Sequence, residues 1–134
     1  MVIEATEVVP VRTGDDVVKV RQAVRAQGVK IGFSLVDQTK IITAASEIAR
    51  NTVDYGGGGT LRMEIVREGS RRGLRLIFED QGQGIADMKL ALTDGWTSGK
   101  GLGLGLSGAK RLSNEFDIQS APGKGTTVTL ARWK

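Results

Sequence analysis

Glu47 and Asn51 lie four residues apart, and Asp80-Gln81-Gly82-Gln83-Gly84 sets a carboxylate at the head of a glycine turn. Residues four apart share one helix face. A carboxylate and an amide so placed can hold a metal ion and steer a nucleophile, because Mg²⁺ takes few protein ligands and completes its shell with water and phosphate oxygens. An ordinary solvated face is the plainer reading of the pair taken alone. Asp80 is an acceptor suited to an exocyclic amine, and Gly82 and Gly84 let a base or ribose pack on bare main chain. Its plainer reading is a turn after a strand.

A second glycine cluster, Gly101-Leu102-Gly103-Leu104-Gly105, stands before a helical pattern and can cradle phosphate through N–H groups and the helix N-terminus. Lys100 sits where a cation reaches the same phosphates. Gly123-Lys124-Gly125-Thr126-Thr127 reads as a hairpin turn, and its glycines and hydroxyl can also close a nucleotide pocket. Two other glycine motifs fail on spacing. Gly103-x-Gly105-x-x-Gly108 has the form of a dinucleotide fingerprint, but no strand precedes it. Gly123, near where the acidic ribose ligand would fall, cannot do that job. Gly95-x-x-x-Gly99-Lys100-Gly101 is one residue short of a P-loop and has glycine where Ser or Thr is needed.

Composition narrows the chemistry further. The 134 residues contain no cysteine, which excludes disulfides, thiolate metal sites and cysteine catalysis. They contain no histidine, so no phosphohistidine forms on this chain, and any base is a carboxylate or a lysine. The net charge of +4 comes from scattered cations with few aromatics between them. That favours an acidic ligand or partner over nucleic acid. No apolar run approaches a membrane span, and Met1-Val2-Ile3-Glu4 lacks a secretory layout, so the expected setting is the cytoplasm.

The elements that must position these groups follow from periodicity. Residues 2–11 read as an edge strand stopping at Pro10. Thr13 caps a helix through Val17, Val20 and Val24, which Gly28 is expected to end. Asp37 is expected to cap a second helix whose stripe is Ile41, Ala45, Ile48 and Thr52, before Gly56-Gly57-Gly58-Gly59 turns the chain. Glu47 and Asn51 flank that stripe. Residues 60–80 alternate as an antiparallel hairpin that turns at 69–73 and ends on Asp80. A short helix is expected over 86–94, an irregular stretch over 95–100, and a helix through Leu106, Ala109, Leu112 and Phe116. A final hairpin runs from Asp117 to Trp133. One domain over residues 1–134 is implied, an α+β sandwich with helices on one face of a mixed sheet.

Glu47-x-x-x-Asn51, Asp80-x-Gly82-x-Gly84, Gly101-x-Gly103-x-Gly105 and Gly125-Thr126, in this order, resemble the N, G1, G2 and final threonine boxes of the GHKL ATPase/kinase superfamily. Chain length and Ser46-Glu47-Ile48-Ala49-Arg50-Asn51 most resemble its RsbT-type serine/threonine protein kinases of bacterial stress signalling, close to the anti-sigma-factor kinases. The resemblance implies a Bergerat fold holding Mg-ATP. By position, Asp80 would accept the adenine amino group with Thr126 nearby, and Asn51 would ligate Mg²⁺. Gly101, Gly103 and Gly105 would wrap the phosphates, and Glu47 would be the general base toward a serine hydroxyl. The implied substrate is a STAS-domain antagonist protein, with a phosphatase or sigma factor downstream. An alternative is an anti-sigma factor or partner-switch protein that sequesters a regulator under nucleotide control, and a bland third reading is a degenerate domain that binds nothing. Only 16 residues separate Gly84 from Gly101, so any lid over the nucleotide is short.

Overall fold

The structure is a computed structural model that describes residues 1–85 and 105–134. The expected helix over 86–94 and the irregular stretch over 95–100 lie outside the described residues, as do Lys100, Gly101 and Gly103. Strand β1 (Val2–Val11) leads into helices α1 (Gly14–Ile31) and α2 (Leu35–Asp54), then strands β2 (Gly59–Glu68) and β3 (Arg71–Asp80). Helix α3 (Leu106–Arg111) and strands β4 (Glu115–Ser120) and β5 (Thr126–Trp133) follow. The five strands form one sheet in the order β1-β2-β3-β5-β4, which leaves β1 on an edge as its Pro10 requires.

The sheet was expected to be mixed, but every pairing is antiparallel. The connections explain this. Helices α1 and α2 run out and back, so the chain re-enters the sheet at the end it left, with Val11 opposite Gly59. The pairs β2–β3 and β4–β5 are joined by tight hairpins, and two-residue or similar turns can join only antiparallel strands.

Helix α1 begins as its sequence requires. Thr13 accepts the Asp16 N–H, and Asp16 reaches back to the backbone N–H groups of Arg12 and Thr13, a closed capping box. It does not end at Gly28. It continues to Ile31, and Gly32 supplies the left-handed cap at φ 93°. Gly28 is buried inside the helix, with the Phe33 ring beside it. Helix α2 is capped by Ser34, whose hydroxyl accepts the Asp37 N–H at 3.1 Å, rather than by Asp37 itself. Asp37 is thereby left to accept from Arg132 of β5, at 2.8 Å from Nη2. The turn between β2 and β3 is narrower than expected: Arg71, Arg72 and Gly73 already belong to β3. Likewise α3 stops at Arg111, and Phe116 lies in β4 rather than in the helix.

The helices cover one face of the sheet. Leu61, Met63 and Ile65 of β2 and Leu74, Leu76 and Phe78 of β3 meet Val17, Val20 and Val24 of α1 and Ile41, Ala45 and Ile48 of α2 in one buried cluster. Among the described residues the other face carries no helix, but it is not bare. There Trp133 lies over Gly73, the Arg71 guanidinium stands 4.6 Å from its ring centroid, and Glu64 is held by Arg75 at 2.6 Å. No helix among the described residues is long and apolar enough to cross a membrane.

Candidate functional site

The site lies where the C-terminal half of α2, the end of β3 and the start of β5 meet. The stripe of α2 puts Ile48 and Thr52 into the core, and Asn51 beside them at the rim. A narrow cleft opens there, lined by Asn51, Tyr55, Asp80 and Thr126 among apolar walls that include Ile48, Phe78, Ile85 and Val128. Flat apolar walls with a few polar groups at one end suit an aromatic heterocycle.

Asp80 is the last residue of β3, opposite Gly59 on one side and Thr126 on the other. Its carboxylate is only 9% exposed and accepts the Gly82 N–H at 2.8 Å. Burial pushes this carboxyl above the ordinary aspartate range, against the lowering effect of the Gly82 and Thr126 backbone N–H groups. Three glycines make its seat. A Cβ on Gly56 would collide with the Asp80 carboxylate, one on Gly82 with the Gly56 backbone, and one on Gly125 with the Asp80 carbonyl. The four-glycine turn after α2 is therefore part of the site, through Gly56, and not only a connector.

Gly82 and Gly84 do not line the cleft; they shape the loop that does. Gly84, at φ 75°, abuts the Ala121 carbonyl, and Gly123 donates to the Gln83 carbonyl at 2.8 Å. Ser120 completes this seam. Its hydroxyl accepts the Ile85 N–H at 2.8 Å, donates to the Gly125 carbonyl at 3.0 Å and lies 2.8 Å from the Thr126 hydroxyl. Neither Ser120 nor the Gly56 contact stands out in the sequence, since both depend on segments brought together by strand register.

Glu47 is exposed, one helical turn before Asn51. It packs on Gly105, where a Cβ would stand 2.5 Å from its Oε2. Gly105 adopts φ 64° at the N-cap of α3, whose first residue Leu106 lines the cleft. The second glycine cluster thus reaches the Glu47 carboxylate through its last member. Gly108, by contrast, has open space where a Cβ would go, so no close packing of the dinucleotide-fold kind exists there.

For a divalent cation, the described residues hold no group of three or more acidic or otherwise ligating side chains. A Mg²⁺ bound here would therefore take most of its ligands from phosphates and water.

The family described as histidine kinase-, DNA gyrase B- and HSP90-like ATPases matches residues 36–134. The chain is 42% identical over 125 residues to the serine/threonine-protein kinase RsbT of Bacillus subtilis, covering 93% of this chain and 94% of that one. It is 28% identical over 119 residues to the anti-sigma F factor of Clostridium novyi, covering 84% and 82%. Among solved structures it resembles the RsbU and RsbW domains of a Mycobacterium tuberculosis protein, with a TM-score of 0.68 at 21% identity, covering 97% of this chain and 33% of that one. The catalytic domain of the histidine kinase ThkA gives a TM-score of 0.54 at 13% identity, covering 94% and 95%. These likenesses and the sheet order establish the Bergerat-type fold. The chain belongs to the histidine kinase-, DNA gyrase B- and HSP90-like ATPase family, within its RsbT-type serine/threonine-protein kinases.

Proposed function

We propose that this chain transfers the γ-phosphoryl group of ATP to a serine or threonine hydroxyl of a STAS-domain antagonist protein, in a cytoplasmic partner-switching pathway. The observation that carries the reading is the convergence of Asn51, Asp80 and Thr126 on one apolar cleft, with Glu47 at its rim one turn from Asn51.

The adenine ring would pack against the apolar walls, with its amino group donating to Asp80. Asn51 would hold Mg²⁺, which when bound neutralises charge on the phosphates and orients them. Gly105, with Gly101, Gly103 and Lys100 ahead of it in sequence, would approach the phosphates from the α3 side. Glu47 lies on the solvent side, where a protein substrate can enter. As the hydroxyl oxygen bonds the γ-phosphorus, its proton passes to the Glu47 carboxylate. The bond from that phosphorus to the β,γ-bridging oxygen breaks, and ADP leaves. Phosphoryl transfer asks mainly for such positioning and charge neutralisation, with a base for the nucleophile.

Glu47→Gln keeps the size of the side chain and removes its basicity. It is expected to retain ATP binding within about twofold by calorimetry while lowering transfer of labelled phosphate to the STAS protein by two orders of magnitude or more. Unchanged transfer would remove Glu47 from the base role. The likeness to anti-sigma F factor supports a second reading, in which the chain also sequesters a regulator. A stoichiometric complex with a purified sigma factor, dependent on nucleotide, would favour it.

A further inference from the structure

We infer that Ser120 is a specificity-determining positioning residue that fixes the direction of the Thr126 hydroxyl and so makes the Asp80 end of the cleft accept hydrogen bonds without offering one. The inference rests on the adenine-nucleotide reading of that cleft. It comes from counting protons.

A serine hydroxyl has one proton to donate and two lone pairs. The Ile85 backbone N–H can only donate, so it takes one lone pair, at 2.8 Å. The Gly125 carbonyl can only accept, so it takes the proton, at 3.0 Å. The third neighbour is the Thr126 hydroxyl, at 2.8 Å. With the Ser120 proton already committed, this contact is satisfied in one way: Thr126 donates its own proton to the remaining lone pair of Ser120. All three bonds are then made at once. Thr126 is left with lone pairs only toward the cleft it lines.

The consequence is a polarity at the cleft's end. The ionised Asp80 carboxylate has no proton to give, and Thr126 has none to spare. A ligand edge carrying two N–H donors, such as the 6-amino group of adenine, meets two acceptors. A 6-oxo purine brings a carbonyl there and meets lone pairs instead. Sites built to receive a donor reject analogues that lack it, because their own polar groups are left unpaired. Ser120 touches no ligand in this scheme and acts through Thr126.

The test is nucleotide binding by the full chain, measured by calorimetry with Mg-ATP, the inosine analogue Mg-ITP and the 6-unsubstituted purine riboside triphosphate. In Ser120→Ala the Thr126 hydroxyl loses its acceptor and becomes free to turn its proton into the cleft. The preference for ATP over ITP is expected to narrow about tenfold, the size of one hydrogen-bond exchange. Ser120→Thr, which keeps a hydroxyl at the same place, is expected to restore it. An equal loss of affinity for all three nucleotides in Ser120→Ala would overturn the inference and leave a purely structural role. Should Ser120→Ala fail to fold, Thr126→Val gives an independent reading. An acceptor-only Thr126 predicts weaker ATP binding with the 6-unsubstituted analogue unchanged, and equal weakening of both would overturn it. Absence of ATP binding by the wild-type chain would instead overturn the adenine-nucleotide reading itself.

Discussion

Asp80 works against its own surroundings. Its carboxyl is buried, burial raises its titration above the ordinary aspartate range, and an acid so raised keeps its proton to a higher pH in the folded chain than in the unfolded one. Its contribution to stability is therefore fully present below about pH 3.9, the unfolded value, and is lost as pH rises through the folded value. The proposed acceptor role needs the ionised form, so ligand binding and apo stability pull in opposite directions at this residue. A ¹³C-carboxyl NMR titration is expected to place Asp80 above the other aspartates, and adenosine binding to move it down. An Asp80 that titrates with the rest, or ignores adenosine, would contradict this account. The sequence made Asp80 legible because a lone carboxylate opened a glycine turn at a strand end. It hid Gly56, whose contact with Asp80 spans the whole β2–β3 hairpin, and Ser120, whose three partners come from two other segments.

At the scale of elements, periodicity located the helices and strands while tertiary contacts decided their ends. Gly28 looks like a stop, yet it stays helical, and the next glycine, four residues on, takes the left-handed conformation that caps the helix. Asp37 looks like a cap, yet Ser34 is one, since Asp37 is claimed by a strand nearly a hundred residues away. That strand residue, Arg132, ties three elements. It reaches Asp37 in the first turn of α2 and donates to the Leu112 carbonyl at the end of α3 at 2.9 Å. Through it, the helix bearing Glu47 and Asn51 and the helix capped by Gly105 share one anchor. Arg132→Met keeps the stem and removes all of these bonds. It is expected to cost about 1–3 kcal/mol, read as a lower urea midpoint at unchanged slope. An unchanged midpoint would mean the anchor contributes nothing.

Over the whole molecule, the β2–β3 and β4–β5 hairpins were legible, but the antiparallel pairings of β1 with β2 and of β3 with β5 were not, because no local pattern records that α1 and α2 return the chain to the end it left. What the pairing does is sort the sheet into two faces. One face carries the helices and the cleft; the other is closed by Trp133, Arg71, Glu64 and Arg75. The charge pairs set the molecule's response to acid. Hydrogen bonds from Arg72, the Arg12 backbone N–H and Arg132 hold Glu4, Asp16 and Asp37 below their ordinary ranges. Groups lowered in this way contribute stability that is present above their unfolded values of about 4 and is lost as pH falls through the folded ones. The urea midpoint is therefore expected to drop steadily below about pH 4, opposed only in part by Asp80. A midpoint that holds constant from pH 5 to pH 3 would refute this. Arg132→Met should show a shallower drop, since its share of the acid sensitivity is already gone.

The seat of Asp80 at Gly56 also has a genetic side. Every single-base change in a glycine codon that replaces the glycine by another amino acid introduces a Cβ, and at Gly56 any Cβ meets the Asp80 carboxylate. No amino-acid replacement at this position leaves the pocket untouched, whereas the packed cluster between helices and sheet does not include it. Replacement at this one position would deform the pocket while leaving the core between helices and sheet in place.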